Sequence, residues 1–338
     1  MDVQPSPTPH PPPTVQQFTA TASPWRRVTA CCAGLLLGGV SVVVGCRAAD
    51  VDGITPVPQL LAFLPWLLVP AGLALVLAGV ARWRVGVLWA LVALAVTGWF
   101  VQPYGAQSSP GRGPVVAELR VLTANVEFGG ATTDLVEAIR REKPELVYVQ
   151  ECEYTCSSAL AREIPKALYP YRRVVDSGGA EGSAILSTLP LRPAPGIAST
   201  LAMPGAVARI GDRDVRLQLA HPLPPVPGGV DSWRTELAAL RAYAADIKHQ
   251  PAIVAGDFNA SQDHAAFRAI LDAGGLRDSA AVGGAFRTPS WPSGASRIGT
   301  QIDHVLTTDD FSIRSARFLT LSNTDHRALL VELELHRG

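Results

Sequence analysis

The chain has 338 residues with 29 basic and 29 acidic side chains, so it is formally neutral, and 48% of it is hydrophobic. The charge is unevenly placed: residues 1–101 hold five arginines, three aspartates and neither lysine nor glutamate, leaving 24 basic and 26 acidic residues beyond position 105. That charged part lacks the basic excess of a tight non-specific nucleic-acid binder, and no GxGxxG or Gly-rich Lys-Ser loop offers a nucleotide-phosphate cradle, so no nucleotide cofactor is expected.

Residues 1–25, with Pro-Ser-Pro and Pro-Pro-Pro, cannot bury a core and read as a disordered cytoplasmic tail. Three uncharged stretches follow within a membrane domain over 26–105: Val28 to Cys46, Leu60 to Ala81 and Val85 to Val101. At about 1.5 Å per residue, roughly 20 apolar residues cross a bilayer, which predicts three transmembrane helices. The first stretch also resembles a signal peptide, since Arg26-Arg27 precede it and Val43-Val44-Gly45-Cys46 resembles a lipoprotein cleavage box. The later two spans would hold the chain in the membrane either way, and a retained first helix is the reading adopted. Arg26, Arg27, Arg82 and Arg84 mark the cytoplasmic side, which places the N-terminus inside and the large C-terminal part outside the cell membrane. Trp83, Trp99 and Tyr104 sit where amphipathic rings anchor at the interface.

Residues 106–114 have linker composition and should lift the next domain, 115–338, off the membrane. That domain opens with a strand over Leu119 to Val126 and a helix from Thr133-Asp134 whose Leu135, Ala138 and Ile139 share a face. After Pro144 comes a strand over Leu146 to Val149. Cys152 and Cys156 suit a disulfide in an oxidising exterior, although a four-residue spacing demands a tight loop. Further strands are expected over Ala184 to Ser187, Val215 to Ala220 and Ala252 to Ala255. Asp231 or Ser232 can cap a helix carrying Leu237, Leu240, Ala244 and Ile247, and a second helix with Phe267, Ile270 and Leu271 stops at Gly274-Gly275. Ile302 to Leu306, Phe311 to Phe318 and Ala328 to Leu335 close the chain as strands. Interleaved strands and helices, with several strands too close for parallel pairing, predict an α/β mixed-sheet sandwich with helices on its outer faces.

Polar clusters border these strands. Asp257 and Asn259 in Gly256-Asp257-Phe258-Asn259 point the same way while Phe258 turns inward, and a carboxylate beside an amide suits an attacking water and a phosphoryl oxygen. In Thr324-Asp325-His326 the imidazole can take a proton near neutral pH if a carboxylate such as Asp303 fixes its tautomer. Glu151 after Gln150 and Asn125 after the first strand offer oxygens of the kind Mg²⁺ prefers. His221 can donate to charge developing on phosphorus. Singly, each cluster also fits an Asx turn, a solvated charge or a loop histidine.

Their order resembles the endonuclease/exonuclease/phosphatase superfamily over residues 117–336. The match runs through Asn125, Gln150-Glu151, Gly182-Ser183-Ala184-Ile185-Leu186-Ser187, His221, Gly256 to Asn259, Ile302-Asp303 and Thr324-Asp325-His326, with Ser183 where the family often has Asn. The resemblance implies two mixed sheets in a four-layer sandwich. It also implies that Glu151, Asn125 and Asp325 serve Mg²⁺, with Mn²⁺ an alternative. Asp257 and Asn259 would orient nucleophile and phosphate, His221 would support the phosphoryl oxygens, and an Asp303-polarised His326 would activate water. Glu127 stands where some nuclease members carry Asp. The expectation is a membrane-anchored, extracytoplasmic, Mg²⁺-dependent phosphodiester hydrolase of nuclease, phosphatase or phospholipase C type. Its substrate would be a phospholipid head group or extracellular nucleic acid. The rival is a non-catalytic, membrane-tethered scaffold that keeps the fold.

Overall fold

The computed structural model describes residues 23–105, 113–295 and 298–337. Most of the tail read over 1–25 and of the linker over 106–114 therefore lies outside the described residues, and Pro24 and Trp25 already open the first helix.

The N-terminal helical part comprises α1 (Pro24–Ala48), α2 (Val57–Ala62), α3 (Leu68–Val80) and α4 (Arg84–Phe100), with a 3₁₀ turn over Leu64–Leu67 leading into α3. Among the described residues one helix, α1 with 25 residues, is long and apolar enough to cross a membrane; Leu64–Val80 and Arg84–Phe100 are shorter apolar helices. The stretch read as one span from Leu60 is broken because Pro65 has no N–H to give to Leu61, and α2 ends at Ala62. Leu37, Val40 and Val44 of α1 meet Ala71, Ala74, Ala90 and Ala93, small residues that let the three helices approach closely.

The second part runs in chain order through β1 (Val115–Asn125), α5 (Thr132–Glu142), β2 (Leu146–Gln150), α6 (Tyr154–Glu163), β3 (Tyr171–Val175), β4 (Ser183–Ser187), β5 (Leu191–Ile197), β6 (Met203–Ile210) and β7 (Arg213–Ala220). It continues with α7 (Val230–Asp246), β8 (Ala252–Asp257), α8 (Ala265–Gly274), β9 (Arg277–Asp278), α9 (Ser279–Val282), β10 (Asp303–Thr307), β11 (Phe311–Thr320) and β12 (Arg327–His336). Two six-stranded sheets result, ordered β11-β12-β1-β2-β4-β3 and β5-β6-β7-β8-β10-β9.

Alternation along each strand builds the layers. Val121, Tyr148, Leu217, Ile253 and Leu329 fill the space between the sheets. Leu122 and Val149 face outward onto Leu135 and Ile139 of α5, and Val254 faces Trp233 and Leu237 of α7. Strands covered on both faces need apolar residues at nearly every position, which is why they are legible as continuous apolar runs. The α/β class and the helix-flanked pair of mixed sheets agree with expectation.

Among the described residues only β1/β2 and β7/β8 pair in parallel, each through a helical crossover, α5 or α7. A ligand site in such sheets forms where the carboxyl ends of parallel strands emerge, and Asn125, Gln150, Ala220 and Asp257 are those ends.

Strands β3, β5 and β6 and helix α6 carry no clear sequence signal. Strand β5 holds Pro193, Pro195 and Gly196 and is tolerated because it lies at a sheet edge, where a missing N–H breaks no ladder. Helix α6 is capped by Glu153, whose side chain accepts the Thr155 N–H at 2.9 Å, and the Cys152–Cys156 disulfide ties its first turn to the preceding loop.

Residues 115–337 make direct contacts with the N-terminal helical part. Asp52 accepts the free N–H groups of Ala265 and Ala266 at the start of α8, at 2.6 and 3.1 Å. His264 Nε2 lies 2.8 Å from the Pro58 carbonyl. Arg287 grips both oxygens of Asp263 at 2.7 and 2.9 Å and donates to the carbonyls of Val101 and Phe100. These contacts come from chain that precedes the linker, so linker composition carried no information about them.

Candidate active site

A close approach of β8 to β7 prepares the site. A Cβ on Gly256 would lie 1.9 Å from the Ala220 carbonyl oxygen, so only glycine lets the two strands meet there. At the strand ends Glu151 and Asn259 turn into the left-handed region, with φ of 57° and 47°, which Asn tolerates and Glu does not favour.

Asn125 ties two acids together. Its Nδ2 donates to Glu151 Oε1 at 3.0 Å and to Asp257 Oδ2 at 3.2 Å, while its Oδ1 accepts the Glu127 N–H at 3.0 Å. Glu151 Oε2 also accepts the Phe128 N–H, and Oε1 lies 3.8 Å from His221 Nε2. Asp257 Oδ1 accepts the Asn259 N–H at 2.8 Å, and the Asn259 amide is fixed on the Pro222 carbonyl at 2.9 Å.

His326 is held from behind: Nδ1 lies 2.9 Å from Asp303 Oδ2, and Nε2 lies 3.7 Å from both Asp257 Oδ2 and Asp325 Oδ1. Thr324 Oγ1 accepts the His326 N–H and donates to the Asn125 carbonyl, which joins the last loop to the end of β1. Asp325 Oδ2 accepts the indole N–H of Trp291 at 2.7 Å, and its own N–H goes to Glu127 Oε2.

Burial alone would push the His326 imidazole down, but the charges of Asp303 and Asp257 and the Asp303 hydrogen bond reverse this and raise it to about 10. Burial raises the Asp257 carboxyl to about 7, against the attraction of His326. His221 is pushed down to about 3 by burial and then by the His326 charge, so it is neutral at any physiological pH. Its Nδ1 is buried with no hydrogen-bond partner among the described residues.

Glu151, His221, Asp257, Asn259, Asp325 and His326 line one cleft of about 550 Å³. Asp303, fully buried, and Asn125, at 1% exposure, lie behind the lining residues His326, Asp257 and Glu151 that they hold. The carboxylates of Glu151, Glu127 and Asp325 line the cleft, an oxygen-rich set that fits a hard divalent cation. Asn125, named as a metal ligand from sequence, turns its NH₂ to the two acids and its oxygen to the Glu127 N–H, so as placed it orients two carboxylates. The tightest acid–imidazole group is Asp257, Asp303 and His326, one ligand atom of each lying within 4.8 Å of the others. Because His326 Nδ1 is spent on Asp303, that trio suits proton transfer better than metal capture. Gln150 stays below the site, bonded to Thr123 across β1 and β2.

Sequence reading missed Trp291, which holds Asp325, and Phe63, Ala62 and Gln59, which bring the N-terminal helical part to the cleft wall. Nothing local marks them: Phe63 and Trp291 meet with ring centroids 6.4 Å apart across most of the chain.

A family model described as the Endonuclease/Exonuclease/phosphatase family matches residues 122–326. Humanized D. rerio TDP2, altered by 14 mutations, superposes with a TM-score of 0.52 at 15% identity, over 64% of this chain and 98% of that one. D. rerio TDP2 complexed with single strand DNA product gives 0.51 at 13% identity, over 64% and 99%. At such identities the likeness concerns the fold alone. No curated protein matches the chain.

Proposed function

We infer that this chain, which belongs to the endonuclease/exonuclease/phosphatase family, is a metal-dependent phosphodiester hydrolase held in the cell membrane by three helices, its cleft facing out of the cytoplasm. One observation carries the reading: His326 turns Nδ1 to Asp303 and Nε2 to a cleft that it shares with Glu151, Asp257 and Asp325. An acid behind one ring nitrogen fixes the tautomer and aims the other at water.

Asp303 keeps a proton on Nδ1, so Nε2 is the atom that would take the proton of water as its oxygen closes on phosphorus in line with the leaving oxygen, once a divalent cation in the cleft offsets the carboxylate charge that holds the imidazole protonated in the metal-free chain. Asp257, oriented by the Asn259 N–H and the Asn125 amide, aligns that water. Neutral His221 and the anchored Asn259 amide can donate to the phosphoryl oxygens. Mg²⁺ or Mn²⁺, held by Glu151 with Asp325 and Glu127, would neutralise charge on the phosphoryl group. A binding-only scaffold would not need an acid-backed imidazole facing the acids of the cleft.

Three helices are supported by the mutual packing of α1, α3 and α4. With its 3₁₀ lead-in, the second spans 64–80, about 26 Å by helical rise against about 30 Å of hydrocarbon. Arg26, Arg27, Arg82 and Arg84 favour a cytoplasmic N-terminus. That arrangement puts the catalytic domain, 115–338, outside, where the Cys152–Cys156 bridge suits an oxidising space. Full-length protein in nanodiscs should hydrolyse bis(p-nitrophenyl) phosphate with Mg²⁺. An undiminished rate in excess chelator overturns the reading.

A further inference from the structure

The cleft has two unlike halves. Its floor is the acid and imidazole set, whereas its wall is apolar and includes Phe63, Phe128, Leu223, Val226 and Trp291. Among the described residues no Lys or Arg lines it, although a polyanionic strand would need cations along its backbone.

The membrane part itself builds this wall. Gln59 donates to the Pro225 carbonyl and so fixes the proline-rich loop that carries Val226, and the Phe63 ring packs on Trp291, whose indole N–H holds Asp325. Phe128 and Val226 are 59% and 52% exposed at the cleft, and Leu60 and Trp66, flanking Phe63 on the segment that enters α3, are exposed as well. Apolar surface therefore leads from the helix entering the bilayer to the acids without a charged barrier along the wall.

We propose that the substrate is a bilayer lipid with a phosphodiester head group, whose apolar chain lies along Phe63, Trp291 and Val226 while the phosphorus sits over the acids. This rests on the hydrolase reading above. In the reaction, water forms a P–O bond as the bond to the leaving alkoxide breaks; His326 Nε2 takes the water proton, and the alkoxide on the opposite side of phosphorus takes a proton from solvent.

Methyl p-nitrophenyl phosphate and hexadecyl p-nitrophenyl phosphate share one scissile bond and differ only in the chain, so full-length protein in detergent can be assayed on both, and on thymidine 5′-p-nitrophenyl phosphate. The hexadecyl ester should have the higher kcat/KM by roughly tenfold or more, since withdrawing about two methylenes from water suffices for that. The hexadecyl-to-methyl ratio should collapse toward one in Phe63→Ser and, independently, in Val226→Asp, which is surface-exposed and folds regardless of the outcome. A ratio near one in the unmodified protein, a ratio that survives both substitutions, or a preference for the thymidine ester overturns the lipid assignment while leaving the hydrolase intact. No turnover of any ester overturns both.

Discussion

Asp257 and Asp303 face each other as a register pair across the antiparallel strands β8 and β10, both essentially without solvent contact. Two buried carboxylates so placed repel unless a positive group lies between them, and His326 supplies it, 2.9 Å from one acid and 3.7 Å from the other.

The first prediction follows from that arrangement. In metal-free protein His326 is raised to about 10 and Asp257 to about 7, so the folded chain holds both protons more tightly than the unfolded one. The stabilisation from His326 is fully present below the unfolded imidazole value near 6.5 and is lost as pH climbs through about 10. Raised Asp257 adds a loss of the same sign between its ordinary value and about 7. The melting temperature in chelator should therefore fall from pH 6.5 to pH 10. His326→Gln should flatten that slope, and a slope unchanged in this variant would refute the pairing.

Replacing the acid-backed imidazole should remove catalysis and leave the fold. For His326→Ala we expect kcat to fall by about 10²–10⁴-fold, the usual worth of a positioned base. Asp303→Asn should also lower kcat, because an amide cannot stabilise the imidazolium. Single-turnover rates, with circular dichroism to confirm folding, decide the matter; wild-type rates in His326→Ala would exclude it as the base.

Asn125 gives a prediction separate from metal ligation itself. Its NH₂ orients Glu151 and Asp257, so Asn125→Ala should weaken Mg²⁺ binding by about 10–100-fold, as loss of a group that orients a ligand does. Asn125→Asp would replace the donor with a third charge beside two acids, tightening Mg²⁺ binding while destabilising the metal-free protein. Calorimetric titration and melting in chelator would read these opposite effects.

Asp52 tests the seating of the two parts. It accepts the N–H groups of Ala265 and Ala266 at the start of α8, and loss of such a cap costs about 0.5–2 kcal/mol. Asp52→Ala should lower the melting temperature of the full chain accordingly, and an unchanged melting curve would show that the seating contributes nothing to stability.

Much of the site could be read from sequence because its residues follow buried strands: Val147 to Gln150 and Ile253 to Asp257 are apolar runs that end in chemistry. Pairing across space left no such trace. Asn125 is legible as a site residue, but an amide serves equally as donor or oxygen ligand, and its placement, NH₂ toward the acids and oxygen on the Glu127 N–H, leaves no trace in the sequence. Strand β5 was hidden by Pro193 and Pro195, residues that a sheet edge accepts and a central strand would not. The linker composition of 106–114 suggested separation, whereas residues 50–63 and 100–104 had already made the contacts that join the two parts.

Asp263 and His264, both at 0% exposure, are buried against Arg47 and the Pro58 carbonyl of the N-terminal helical part and against Arg287. A cut between the two parts would strip His264 of the Pro58 carbonyl, leave Asp263 to Arg287 alone and take Phe63 away from Trp291. The cleft would then lack one wall, and the indole that holds Asp325 would lose the ring packed against it.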